Sequence, residues 1–218
     1  MLTRHYKTGT IVFDLDGTLI DSAPNILEAF ADALCEAGIT PQVFLDSSLI
    51  GPPLTETLMR ISGSTDAALI RSLTAKFKQH YDSTGVVKTK AYPGIEAMLD
   101  DFMAAGASLH ICTNKRLSAT HAILENLGWK DRFMSVYALD MVEPRMPGKA
   151  QLLSKQIGEQ SINTATTIYV GDKLEDGHAA EANALTFYYA SWGYGDLQQG
   201  QMDVNWNWLN CPGDLSKS

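Results

Sequence analysis

The second half of the chain alternates between short apolar runs and longer stretches with helical spacing. The apolar runs predict strands over Ala107 to Thr113, Phe133 to Leu139, Thr166 to Val170 and, as the last strand, Leu185 to Ala190. Each is joined to the next by a stretch in which apolar residues recur three or four apart. Strands joined through helices pair in parallel, because a parallel connection needs a dozen or more residues. The pattern therefore predicts an α/β fold, a doubly wound, Rossmann-like parallel sheet.

One further strand precedes a long segment without strand character. Ile11 to Asp14 reads as a buried strand, whereas only helical spacing occurs from Asp21 to about Thr89. The clearest helical face there has apolar residues four apart, at Leu69, Leu73, Phe77 and Tyr81. We therefore expect a discontinuous core domain of residues 1–20 and 90–218, with an all-helical cap domain of residues 21–89 inserted after the first strand.

Charge and composition restrict the partners. The chain has 218 residues, a formal net charge of -8 and a pI near 5.0, which argues against nucleic acid or an anionic membrane surface as a partner. The segment Met1 to Gly9 has no apolar leader, and no apolar run reaches membrane-spanning length, so we predict a cytoplasmic location. The three cysteines support neither a disulfide framework nor a zinc site, and Cys112 is expected to be a small buried apolar residue.

Two acidic residues, Asp14 and Asp16, lie at the end of the first strand, just before Gly17. In open α/β sheets ligands bind at the carboxyl ends of the strands, so these acids lie where chemistry can occur. One carboxylate can attack phosphorus, and a second can protonate the leaving group and then activate water. The alternative is a turn stabilised by side-chain hydrogen bonds, and this pair alone does not decide between the two.

Three later positions carry groups suited to a bound phosphate and a cation. Thr113-Asn114 follows a predicted strand and offers a hydroxyl and turn N–H groups, although a threonine there is as often a helix cap. Lys149 begins a predicted helix and supplies an ammonium. Asp172 and Asp176, four apart at the end of another strand, fall on one face, where oxygen ligands favour a hard cation such as Mg²⁺. An acidic helix start that complements the helix dipole would look the same.

Together these motifs resemble the haloacid dehalogenase-like phosphohydrolases. Asp14-Leu15-Asp16-Gly17-Thr18 matches the Asp-x-Asp-Gly-Thr signature of that family, and the segment from Gly171 to Asp176 matches its Gly-Asp-x-x-x-Asp. The resemblance covers roughly residues 8–20 and 92–190. It implies that Asp14 is the nucleophile that forms an aspartyl-phosphate and that Asp16 is the general acid and base.

The resemblance also implies a set of binding residues. Phosphate would be bound by Thr113, Asn114 and Lys149. Mg²⁺ would be bound by Asp14, the Asp16 backbone carbonyl and Asp172, with Asp176 bound directly or through water. The commonest family pattern has a lysine followed at once by proline, a few residues earlier in the chain, and this sequence departs from it. Arg145 is therefore the alternative to Lys149 as the phosphate-binding cation.

Further motifs are similar to the phosphoglycolate phosphatase branch. They are the extension of the first signature to Asn25, the turn Ile50-Gly51-Pro52-Pro53-Leu54, and Tyr92-Pro93-Gly94. This implies a Mg²⁺-dependent phosphomonoester hydrolase acting on a small phosphorylated metabolite. The helical insertion would be a cap that excludes water and selects the leaving group.

Other activities on the same fold remain open. A β-phosphoglucomutase-like mutase carries a cap histidine and a cap arginine, at about the places where this chain has Ile26 and Pro53-Leu54. A dehalogenase lacks the second acid, which is present here as Asp16, and a phosphonatase needs a cap lysine. A catalytically silent binding protein would be free to lose the acids. The substrate, the oligomeric state and the role of the Trp- and Gln-rich tail from Ser191 are not determined by the sequence.

Overall fold

The structure of the chain, a computed structural model, describes residues 9–217, the last of them by its backbone alone. The prediction of location relied in part on the segment Met1 to Gly9, of which only Gly9 is among the described residues. Within the described range no helix has both the length and the apolar character needed to cross a membrane. The chain divides into two compact units, one of the residues up to Asp21 with those from Ala91 onward, the other of Ser22–Lys90.

The secondary structure alternates as the periodicity predicts, with boundaries shifted by a few residues. The strands are β1 (Thr10–Phe13), β2 (Ile20–Asp21), β3 (Lys90–Ala91), β4 (Ser108–Thr113), β5 (Ser135–Ala138), β6 (Thr167–Gly171), β7 (Thr186–Ala190) and β8 (Asn207–Leu209). The α-helices are α1 (Ala23–Glu36), α2 (Leu54–Ser62), α3 (Ala67–His80), α4 (Val86–Lys88), α5 (Ile95–Ala104), α6 (Leu117–Asn126), α7 (Lys149–Glu159), α8 (Leu174–Ala182) and α9 (Pro212–Lys217). A π-helical turn, Tyr81–Gly85, joins α3 to α4.

The first unit is built on one parallel sheet with the strand order β5-β4-β1-β6-β7-β8. All neighbouring strands pair in parallel. Phe13 at the end of β1 is level with Ile111 of β4 and Val170 of β6. The carboxyl ends of these three central strands therefore meet at the same edge of the sheet. The predicted α/β fold with a doubly wound parallel sheet is confirmed.

The central strand is buried on both faces. Ile11, Val12 and Phe13 have no solvent exposure. Val12 belongs to a core cluster that contains Leu152 of α7 and Ala180 of α8. Successive residues of a strand point to opposite faces, so Ile11 and Phe13 face the other side of the sheet. An uninterrupted apolar strand of this kind is typical of parallel sheets that are covered by helices on both faces.

The Ser22–Lys90 unit is formed by α1 to α4 and the turns between them. The apolar face predicted for α3 is confirmed at its core, because Leu73, Phe77 and Tyr81 are buried. Phe77 packs on Phe30 of α1 with ring centroids 4.6 Å apart, and it stacks on Tyr81 at 5.5 Å. The helix α3 ends at His80 and the chain continues as the π-helical turn.

The prediction that Leu185 to Ala190 forms the last strand is wrong. The tail adds β8, which pairs in parallel with β7, and then α9. β8 is only three residues long and contains one asparagine, so it has no recognisable period of two. Two tryptophans attach this part of the tail to the core, since Trp206 joins the core cluster and Trp208 packs against it. Cys112 is buried, as predicted, and Cys35 and Cys211 are exposed free thiols.

Candidate active site

Asp14 occupies a buried position directly after β1. Its N–H donates to the Val170 carbonyl at 2.9 Å, which extends the pairing with β6 by one residue. Its Oδ1 accepts a hydrogen bond from Lys149 Nζ at 2.9 Å, and both residues are 4% exposed. Lys149 is the first residue of α7, so the start of this helix delivers its ammonium to the end of the central strand. Arg145, the alternative cation, is exposed.

Two further carboxylates lie beside Asp14. Asp172 follows β6, and Asp176 lies in the first turn of α8. All three side chains are buried, and one ligand oxygen from each lies within 4.8 Å of the others. Lys149 Nζ also donates to Asp176 Oδ1, at 2.6 Å. One ammonium therefore bridges two of the three acids.

The remaining oxygens of Asp172 and Asp176 differ in their partners. Asp176 Oδ2 accepts from the Lys173 N–H at 2.9 Å, and the Tyr169 hydroxyl lies 3.2 Å from Asp176 Oδ1. Asp172 Oδ2 accepts from the Tyr194 N–H at 2.6 Å. Asp172 Oδ1 is buried and has no hydrogen-bond partner among the described residues. Asp172 therefore has one oxygen that is held by the backbone and one buried acceptor that is left unused.

The electrostatics of the cluster show an excess of negative charge. Burial raises the pKa of Asp14 well above its ordinary value; Lys149 opposes this rise, and the charges of Asp176 and Asp172 add to it. Burial and the charge of Asp176 raise the pKa of Asp172 to about 7. Burial alone lowers the pKa of Lys149, but Asp14 and Asp176 bring it well above the usual lysine range. Carboxylates that are buried together in this way are stabilised in their charged form by a nearby cation.

Asp16 forms an ion pair that the sequence did not suggest. Lys115 Nζ donates to Asp16 Oδ1 at 2.9 Å and to Oδ2 at 3.2 Å. The two side chains are 6% and 13% exposed, so the pair is largely shielded from solvent. The available signal was the position of Lys115, two residues after the predicted strand end at Thr113. An isolated lysine in a turn is usually solvated, so its position alone does not predict an ion pair.

Thr113 and Asn114 lie at the carboxyl end of β4, as predicted. Thr113 is buried, and its hydroxyl accepts from the Lys115 N–H at 3.1 Å. Asn114 Nδ2 donates to Glu175 Oε2 at 3.0 Å. The structure thus connects the turn after β4 to both acidic motifs, through Lys115 to Asp16 and through Asn114 to the first turn of α8.

The fold and this site define an α/β protein with a buried centre of carboxylates and a lysine at the carboxyl ends of its central strands. The model of a known family, haloacid dehalogenase-like hydrolase, matches residues 11–190. The chain belongs to the haloacid dehalogenase-like hydrolase family. The family assignment predicted from the motifs is confirmed, and so is the class of enzyme, a phosphatase of this family.

Proteins with similar sequences are named for different activities. The chain is 34% identical over 189 residues to a phosphoglycolate phosphatase of Cereibacter sphaeroides, covering 84% of this chain and 85% of that protein. It is 29% identical over 188 residues to the tyrosine-protein kinase PtkA of Mycobacterium tuberculosis, covering 85% of this chain and 62% of that protein. The crystal structure of a predicted phosphatase from Clostridium acetobutylicum superposes with a TM-score of 0.82 at 25% identity, covering 96% and 97% of the two chains.

Proposed function

We propose that this protein is a Mg²⁺-dependent phosphomonoesterase that acts on a small, phosphoglycolate-like metabolite through an aspartyl-phosphate on Asp14. The observation that carries the proposal is the buried ion pair between Asp14 and Lys149. One oxygen each of Asp14, Asp172 and Asp176 lies within 4.8 Å of the others. A cytoplasmic location remains part of the proposal. The likeness to a protein named phosphoglycolate phosphatase supports the choice of substrate class.

The residues present fit a Mg²⁺ ion. The donor set consists of oxygen atoms alone, which suits a hard cation. The buried Asp172 Oδ1, which has no partner within residues 9–217, would find one in the ion. We infer that Asp14, Asp172 and the Asp16 backbone carbonyl hold Mg²⁺, with Asp176 bound directly or through water. When bound, Mg²⁺ supplies positive charge that neutralises the oxygens of the transferred phosphoryl group.

In the first half of the reaction the Asp14 carboxylate attacks phosphorus. The bond between phosphorus and the ester oxygen breaks as the new bond to Asp14 forms. Asp16 donates a proton to the departing alkoxide, so the alcohol leaves neutral. Lys149, through its hydrogen bond to Asp14 Oδ1, orients the nucleophile and offers a charge that binds the phosphate.

In the second half Asp16, now deprotonated, accepts a proton from water that attacks the aspartyl-phosphate. Inorganic phosphate leaves and the Asp14 carboxylate is regenerated. Lys115 pairs with Asp16 and gives this carboxylate a defined orientation for both proton transfers. Thr113 and Asn114 are proposed to bind phosphate oxygens, and the Ser22–Lys90 unit is proposed to be the cap that selects the leaving group.

Phosphate release from a panel of esters tests the proposal. The panel contains phosphoglycolate, sugar phosphates, nucleotides and an aryl phosphate, each assayed with and without Mg²⁺. We expect release that requires Mg²⁺ and that falls below detection in the Asp14→Asn variant, because an amide is not a competent nucleophile toward phosphorus. The preferred ester then identifies the substrate class.

The matched control is Asp101→Asn, which makes the same change at an exposed position of α5 and should leave turnover unaltered. Full activity of Asp14→Asn would refute the aspartyl-phosphate. Failure of the wild-type protein to release phosphate from any ester, although it binds Mg²⁺, would refute the hydrolase and favour a mutase or a binding protein.

A further inference from the structure

We infer that the tail segment Ser191–Gly195 positions Asp172 for metal binding. The segment follows β7, outside the motifs that suggested the site, and its contacts converge on Asp172 and on the turn after Asp16. The inference rests on the proposed role of Asp172 as a Mg²⁺ ligand. It assigns to the tail a function that neither the sequence patterns nor the comparisons give it.

The central contact is made by backbone and not by a side chain. The Tyr194 N–H donates to Asp172 Oδ2 at 2.6 Å. The other oxygen, Oδ1, has no partner in the described part of the chain. Holding one carboxylate oxygen fixes the rotation of the group, so the second oxygen is left with a defined direction toward a ligand. This is the arrangement by which outer partners orient a metal-binding side chain.

Two glycines allow the segment to approach Asp172 this closely. A Cβ on Gly193 would lie 2.3 Å from the Gly17 carbonyl oxygen and 2.4 Å from Asp172 Cβ. A Cβ on Gly195 would lie 1.9 Å from the Asp172 carbonyl oxygen. These distances exclude any side chain unless the backbone moves. The glycines are therefore required by space, and a larger residue would push the Tyr194 N–H away from its acceptor.

Further hydrogen bonds attach the same segment to both acidic motifs. Trp192 Nε1 donates to the Thr18 carbonyl at 3.0 Å, and the Tyr194 hydroxyl lies 2.9 Å from Asp21 Oδ1. Lys173 Nζ donates to the Tyr194 carbonyl at 2.9 Å. The segment thus bridges the turn that follows Asp16 and the turn that carries Asp172, and it holds the two together.

Substitution of Gly193 tests the inference by Mg²⁺ affinity. Gly193→Ala is compared with Gly200→Ala, a tail glycine around which a Cβ would meet no atom within 4 Å. Mg²⁺ binding is measured by calorimetry on the whole protein, and the fold is checked by circular dichroism. We expect Gly193→Ala to bind Mg²⁺ about 10- to 100-fold more weakly and Gly200→Ala to bind as the wild type does. A folded Gly193→Ala protein with wild-type affinity would overturn the inference.

Two further variants separate the contributions. Tyr194→Phe removes the hydroxyl but keeps the N–H, so its Mg²⁺ affinity should match the wild type; a loss as large as that of Gly193→Ala would contradict the backbone assignment. Asp172→Ala should abolish high-affinity Mg²⁺ binding. If Asp172→Ala binds Mg²⁺ normally, the proposed metal site itself is wrong, an outcome distinct from the failure of Gly193→Ala to weaken binding.

Hydrogen exchange of the Tyr194 amide provides a test that needs no glycine variant. In metal-free protein labelled with ¹⁵N-tyrosine, the peak is assigned by its loss in Tyr194→Phe. We expect this amide to be protected in the wild type and to exchange at least tenfold faster in Asp172→Ala, with the Tyr188 amide of β7 as an unchanged reference. An unprotected Tyr194 amide in the wild type would contradict the hydrogen bond.

Discussion

Lys149 determines the charge balance of the site at the scale of single residues. It is the cation that lies between Asp14 and Asp176, and it is buried with them. A buried carboxylate is costly unless it is paired, and one ammonium does not neutralise three acids. The raised pKa values of Asp14 and Asp172 are the direct consequence. In the folded protein without metal, the carboxyl groups of Asp14 and Asp172 therefore bind protons more readily than exposed carboxyl groups do.

This imbalance predicts a pH dependence of stability in metal-free solution. The folded protein keeps the Asp172 proton up to a pKa of about 7, whereas the unfolded chain releases it near the ordinary value of 3.8. At Asp172 the folded state binds more protons between these values, so the contribution of this group to the free energy of unfolding falls as the pH rises from about 4 to about 7. Asp172→Asn cannot ionise. It should lose less stability than the wild type over this interval and be the more stable protein at its upper end.

The measurement is the melting temperature in the presence of EDTA at intervals of pH. Asp101→Asn, at an exposed position, is the control and should follow the wild type. Parallel pH profiles for Asp172→Asn and the wild type would show that Asp172 ionises in the folded protein as it does in the unfolded chain, which would contradict the prediction.

Lys115 gives a second prediction at the residue scale. Replacing it by methionine keeps most of the side-chain volume but removes the hydrogen bonds that orient Asp16. General acid and base catalysis contributes roughly 10²- to 10⁴-fold to a rate, and we expect Lys115→Met to lose about tenfold in kcat as part of that contribution. Steady-state kinetics with phosphoglycolate measure the loss.

Two control variants accompany Lys115→Met: the same substitution at an exposed lysine, and a replacement of Lys115 that keeps the charge. Lys130→Met alters an exposed lysine and should leave kcat unchanged. Lys115→Arg retains the charge and should recover part of the loss. A Lys115→Met protein with unchanged kcat would rule out an orienting role for this lysine, and an increase in KM alone would assign it to substrate binding instead.

At the scale of elements, the site is assembled by strand ends and helix starts. β1 ends immediately before Asp14, and β6 ends immediately before Asp172. α7 begins at Lys149, and the first turn of α8 contains Asp176. Rigid elements hold their terminal residues with little freedom, so the side chains that a reaction needs are fixed before a ligand arrives.

The tail strand is an element whose stability contribution can be measured. Trp206, just before β8, packs edge-on against Phe187 with ring centroids 5.1 Å apart, and its Nε1 donates to Glu181 Oε1 at 2.8 Å. Trp206→Ala would leave a cavity in the core cluster and should lower the free energy of unfolding by about 3–5 kcal/mol. Urea denaturation measures the change.

Val204→Ala is the control for the tail, because Val204 is 96% exposed and its truncation should cost almost nothing. If Trp206→Ala and Val204→Ala were equally stable, the tail would not be part of the cooperative core.

At the scale of the whole molecule, a chain with a net charge of -8 is proposed to bind an anion. Long-range electrostatics oppose that binding, so attraction has to come from the site. Lys149 and Lys115 are two cations that the structure pairs with the site acids. The helical Ser22–Lys90 unit is compact in itself and distinct from the α/β unit. We propose that this helical unit selects the substrate.

The sequence alone determined the α/β class, the strand that leads into Asp14 and Asp16, and the family. These features are local: an apolar run, a helical period or a short motif is complete within a few residues, and its physical meaning does not depend on distant parts of the chain. The joint presence of motifs at successive strand ends then fixed the edge of the sheet at which they meet.

Tertiary structure decided what depends on contact between distant residues. It brought Lys115 to Asp16 across 99 positions and placed Lys149, rather than Arg145, beside Asp14. It also formed β8 from three residues and packed Gly193 and Tyr194 against Asp172. No local pattern records these pairings, because a lysine in a turn or a glycine in a polar tail takes its role only from the atoms that folding puts next to it.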